Sequence, residues 1–198
     1  MKPYPTGSRT GRRPLSPADN PAWPGASAEA IRRATHYIRI EDIAHALANA
    51  CCIQGQTKAF YSVAQHNYLA SMLVPPQDAL AALLLHTDET LERLLPEYLE
   101  IEGHSAAEVL ARFGAPATPP LSVECADLVL RATEQRDLGP SSDATKNESA
   151  GVPPLTLKIQ PLPPIVAKHL FLDRYYELRP EADAERLRHM EAKRRAAK

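Results

Sequence analysis

The sequence predicts an all-α fold, and three observations carry that expectation. Apolar residues recur at helical spacing in successive stretches, helix-start signals stand ahead of them, and Pro- and Gly-rich breaks separate them. At 198 residues the chain can bury one sizeable core but is short for two domains plus the Pro-rich ends it carries. One helical domain is expected over residues 29–180. An extended or mobile arm over 1–28, where Pro3, Pro5, Pro14, Pro17, Pro21 and Pro24 interrupt small polar residues, would precede it, and a charged helix or tail over 181–198 would follow.

The first helix is expected from Ile40 to Cys51, because Ile40, Ile43, Leu47 and Ala50 share a face and Glu41 and Asp42 sit where the helix dipole favours acids. A second begins at Ser62 with Gln65 three residues on, a capping-box spacing, and its apolar side includes Val63, Ala70 and Leu73 together with His66. A third follows Pro75 and Pro76 and runs from Asp78 to Glu89, apolar nearly all round until His86, which predicts a central buried helix with a polar end. One or two helices should then fill Leu91 to Phe113 and stop at Gly114. Another spans Leu121 to Leu138, and a last one runs from about Pro164 to Leu178. Between them, Gly139 to Pro164 has no helical period and is long for a loop, which suggests a functional flap or mobile excursion.

Composition excludes several classes of function. Lys and Arg total 23 against 24 Asp and Glu, so no strong field draws in nucleic acid or an anionic membrane. Three cysteines, two of them the neighbours Cys51 and Cys52, make neither a disulfide framework nor a CxxC zinc site, and a reducing cytoplasm fits them best. The basic N-terminus lacks a following apolar segment, so neither export nor a membrane span is expected.

Three polar residues fall at inward positions of apolar helices: His66, His86 and Asp127. An imidazole or carboxylate is costly to bury unless it pairs or binds a metal, so these are candidate ligands from three helices. His36, His45, His104, His169 and His189 are read as structural.

The runs Tyr37 to Leu47, Gly55-Gln56-Thr57, Phe60 to His66, Leu83 to His86, Ala126-Asp127 and Ala132 to Leu138 together resemble the HD-domain metal-dependent phosphohydrolases, relatives of the bacterial 5′-deoxynucleotidases. The likeness covers about Tyr37 to Leu178. It implies an HD-type helical bundle with a divalent metal (cobalt, manganese, zinc or magnesium) on His66, His86 and Asp127, and hydrolysis of a nucleotide phosphoester. The partner it implies is a small-molecule nucleotide, with room for a homo-oligomer. Three departures stand beside the match: Thr87 replaces the aspartate expected after His86, Cys52 replaces an expected arginine, and an acidic loop after His86 is shortened by about nine residues relative to the family pattern.

Glu89 is the candidate replacement ligand or catalytic acid if the helix continues past His86, and Asp88 if it unwinds there. Glu134 and Arg136 match a family stretch near the site, where they bind substrate or form a salt-bridged surface. Two readings stay open: a metal-dependent nucleotide phosphohydrolase, or a degenerate, non-catalytic HD-fold protein that binds a nucleotide or a protein partner.

Overall fold

The computed structural model describes residues 38–52, 57–96, 99, 105–139 and 151–196. The expected arm over 1–28 and part of the expected loop, 140–150, lie outside the described residues. Among the described residues every regular element is helical: α1 (Ile40–Asn49), α2 (Val63–Leu73), a 3-10 turn (Pro76–Asp78), α3 (Ala79–Leu83), α4 (Thr87–Leu94), α5 (Ala106–Arg112), α6 (Leu121–Leu138), α7 (Pro164–Leu178) and α8 (Pro180–Ala196). The fold is all-α, as the sequence predicts.

Local chemistry accounts for most of these boundaries. Asp42 accepts a hydrogen bond from the Arg39 backbone N–H at 3.1 Å, which ties off the start of α1. Ser62 caps α2 by accepting from the Gln65 N–H at 3.2 Å. The Gln65 side chain does not complete the expected box; it reaches the segment before α7, donating to the Gln160 carbonyl and accepting from the Leu162 N–H, both at 2.8 Å. Ser105 and Glu108 form a reciprocal box at the head of α5.

The largest difference from expectation concerns Asp78 to Glu89, which is not one helix. α3 stops at Leu83, and His86 takes a left-handed backbone (φ 56°, ψ 14°) before α4 starts at Thr87. The turn is held from another helix: the buried Asn67 amide on α2 donates to the Leu83 carbonyl at 3.0 Å and also to the Leu85 carbonyl, and so satisfies oxygens left free where the helix stops. The central element is accordingly α2, which packs against α1, α3, α6 and α7.

Two apolar clusters surround α2. One joins Ile43 and Leu47 of α1 with Leu83, Leu91, Val109 and Phe171; the other joins Tyr61, Ala70, Ala82, Val123 and Leu130. Each large side chain sealed here contributes about 1.5–3 kcal/mol relative to exposure. Cys52 packs against both clusters, beside the isolated bridge in which Cys51 meets Ser62.

Residues 155–159 are held by polar side chains of α6. Thr133 Oγ1 accepts from the Leu155 N–H at 2.9 Å, Asp137 accepts from the Ile159 N–H at 2.8 Å, and Arg136 donates to the carbonyls of Leu155 and Leu157. The described part of the expected flap is thus a strap fastened to the bundle. No helix among the described residues is long and apolar enough to cross a membrane.

Candidate metal centre

Three helical segments bring the predicted ligands together. His66 lies in the first turns of the central helix α2 with its side chain 1% exposed. Asp127 projects from the middle of α6, and His86 is placed by the left-handed turn between α3 and α4, 26% exposed. A left-handed conformation costs a non-glycine residue about 1–2 kcal/mol, and it falls on the residue whose imidazole joins the cluster. One donor atom from each of the three residues lies within 4.8 Å of the others.

The orientation of His66 is set from behind. Its Nδ1 is 2.7 Å from Oε1 of Glu134, a carboxylate fully sealed from solvent about two helical turns after Asp127 on α6. An ionised carboxylate only accepts, so Nδ1 carries the proton and donates. In neutral His66 the lone pair is then on Nε2, which faces Asp127 Oδ1 at 3.1 Å but out of line for a hydrogen bond, leaving Nε2 a buried polar atom without a hydrogen-bond partner. His86 Nε2 stands 3.3 Å from the same Oδ1.

Approaches this close are bridged either by a proton on the imidazole nitrogen or by a cation shared among the three atoms. With metal–ligand bonds of about 2.0–2.2 Å, neighbouring donors of one coordination shell sit about 3.0–3.5 Å apart, so the 3.1 and 3.3 Å separations match its edges. Two imidazoles and a carboxylate suit a first-row transition ion better than magnesium. A histidine held by a carboxylate behind its metal-facing nitrogen is the usual arrangement for fixing tautomer and raising basicity. The residues present therefore fit a divalent ion.

Electrostatics set a competition between a proton and a cation at His66 Nε2. Burial opposes a charged His66, yet the Glu134 carboxylate, with help from Asp127 and Cys52, holds its pKa well above the ordinary 6.5. Burial also opposes a charged Asp127, but contacts with His66 and His86, reinforced by Arg131, hold its carboxyl far below the usual range. Burial, then the nearby Glu134 charge, pushes the Tyr61 hydroxyl far up; that hydroxyl and Glu134 Oε2 are both sealed without hydrogen-bond partners.

The remaining candidates are placed elsewhere. Glu89 and Asp88 do not reach the cluster: both are exposed in the first turn of α4, because the chain turns at His86 and sends them toward solvent at a helix end that favours acids. Thr87 is fully buried, its hydroxyl directed to the Leu85 carbonyl at 3.5 Å. Glu134 lies inside, behind His66, and Arg136 is an exposed clamp on the strap that also grips Asp137 at 2.8 Å. Neither Glu134 nor Arg136 is on the open side of the cluster formed by His86 and Asp127.

Sequence reasoning did not single out Arg131, Asn67 or Tyr61. Arg131 Nε donates to Asp127 Oδ2 at 2.8 Å, and its four-residue spacing from Asp127 is a signal that was available. Cys52 forms a second convergent group with His66 and Glu134. Its proximity arises from the return of the chain between Cys51 and Ser62, a contact that periodicity does not encode.

No protein-family model matches the chain. It is 37% identical over 150 residues to the uncharacterized protein YfdR of Escherichia coli K12, an alignment covering 71% of this chain and 84% of that protein. It is also 30% identical over 158 residues to an uncharacterized protein of Rhodobacter capsulatus, covering 66% of this chain and 81% of that one.

Proposed function

The chain belongs to the same family as YfdR, and we propose that it carries out metal-dependent hydrolysis of a nucleotide phosphoester at an HD-type centre. The observation that carries it is the convergence of His66 Nε2, His86 Nε2 and Asp127 Oδ1, with His66 Nε2 buried and lacking a hydrogen-bond partner.

His66, His86 and Asp127 would hold one divalent ion; such an ion supplies positive charge to a phosphoryl oxygen and makes hydroxide accessible near neutral pH. Glu134 keeps the His66 lone pair turned toward the ligand position. The more exposed His86 and Asp127 leave that side of the cluster open to an incoming phosphate. The likeness to the 5′-deoxynucleotidases supports a nucleotide as the phosphate carrier. The direct test is phosphate release from a panel of nucleoside mono-, di- and triphosphates, using full-length protein supplied with manganese or cobalt. Turnover that disappears in His66→Ala supports the reading, and no release from any nucleotide removes it.

One observation favours a second reading, a non-catalytic binding protein. Thr87 is turned inward to a backbone carbonyl, and Asp88 and Glu89 point to solvent, so none of the three places an acid at the cluster to orient water. Nucleotide binding in a calorimeter without turnover would select this second reading.

A further inference from the structure

Arg131 extends half-exposed from α6 one turn beyond Asp127. An ion pair at this spacing on one helix is ordinary. The second contact is not: Nη2 of the same guanidinium is 3.1 Å from Nε2 of His86, on the turn between α3 and α4. The same nitrogen also lies 3.3 Å from Asp127 Oδ1, to which it donates in one tautomer; arginine has only donors, so in the other tautomer His86 Nε2 accepts from Arg131 at the shorter 3.1 Å and directs its lone pair at the guanidinium. That lone pair is also the one a divalent ion would use.

An imidazole nitrogen has one lone pair, so Arg131 and a divalent ion cannot both hold His86 Nε2. The carboxylate of Asp127 imposes no such exclusion. Its Oδ2 accepts from Arg131 Nε at 2.8 Å, whereas Oδ1 is the atom facing His66 and His86. Arg131 can therefore leave His86 and stay anchored on Asp127, with its outer nitrogens freed beside the ligand position. A planar fork of donors there suits an anionic oxygen of the phosphoryl type.

We propose that Arg131 is the anion-recognition residue of this site, held in reserve: its guanidinium bridges His86 and Asp127, and a divalent ion that takes His86 Nε2 would turn it toward a phosphate. This rests on reading His66, His86 and Asp127 as a metal centre. The same side chain competes with the metal and assists the anion, so its removal shifts the two affinities in opposite directions.

The test is calorimetric titration of manganese into full-length protein in phosphate-free buffer, followed by inorganic phosphate into the manganese-loaded protein. Wild type, Arg131→Gln, Arg131→Lys and His86→Ala are compared. Arg131→Gln is expected to bind manganese roughly tenfold more tightly and phosphate roughly tenfold more weakly, with Arg131→Lys between it and wild type. If wild type binds manganese, His86→Ala does not, and Arg131→Gln leaves either affinity unchanged or moves both the same way, this proposal falls while the metal centre stands. If neither wild type nor Arg131→Gln binds manganese, the metal centre falls and the proposal falls with it.

Discussion

His66 and Glu134 meet at 2.7 Å inside the bundle, with the imidazole 1% exposed and the carboxylate completely sealed. The pair links α2 to α6 and turns the other imidazole nitrogen toward Asp127 and His86. Structure and chemistry here depend on one contact, so changing Glu134 separates them.

Glu134→Gln keeps an acceptor for Nδ1–H and removes the charge. Manganese affinity, measured by calorimetry, is expected to fall about 10- to 100-fold, as it does when the orienting partner of a metal-bound histidine is weakened. Glu134→Ala also leaves a buried imidazole unpaired, and urea denaturation should show a loss of about 3 kcal/mol or more. Equal metal affinity in Glu134→Gln and wild type would show that Glu134 only packs.

The left-handed turn at His86 separates backbone from side chain. His86→Gly and His86→Ala both delete the imidazole and should both abolish metal binding. Glycine accepts φ near +56° without penalty, so the glycine variant is expected to be more stable than the alanine variant by about 1 kcal/mol in metal-free urea denaturation. The reverse order would mean the turn relaxes once the imidazole is gone.

Proton and metal compete for His66 Nε2, so metal should reverse the sign of the pH dependence of stability. His66 has a raised pKa in the folded chain, so without metal its contribution is complete below about 6.5 and is lost as pH rises through the folded value. Asp127 is lowered; its contribution is present above the ordinary carboxylate range and is lost only as pH falls through its folded value. An ion on Nε2 requires that the His66 proton leave, so metal affinity rises with pH. Urea midpoints measured from pH 6 to 9 are expected to fall with pH in chelator and to rise with pH in excess manganese. Parallel slopes in the two series would count against Nε2 as a ligand.

Arg136 grips the carbonyls of Leu155 and Leu157 and the Asp137 carboxylate. Arg136→Ala should increase amide exchange over residues 155–160 and leave manganese and nucleotide affinity within about twofold, since it fastens the strap at a distance from the ligand atoms. A large loss of nucleotide affinity with unchanged exchange would return Arg136 to the substrate.

Much of the helix layout was legible because its causes are local. The bounds Leu121–Leu138 and Pro164–Leu178 follow from apolar period and flanking prolines, and Ser62 capped the helix that its spacing with Gln65 indicated. His66 could be read as inward-facing since its helix has a definite apolar side. The break before His86 could not, because the free carbonyls at the break are satisfied by Asn67 on a different helix, a contact that period does not encode.

Sequence alone determined the all-α class, the main helices and the three residues that converge, for each depends on period, capping and the expense of burying polar groups. Only the tertiary structure decided that Glu134 stands behind His66, that Asp88 and Glu89 leave the site, and that Arg131 bridges Asp127 to His86. Those outcomes depend on which helix faces reach one another across the bundle and on one left-handed turn, and a one-dimensional pattern records neither.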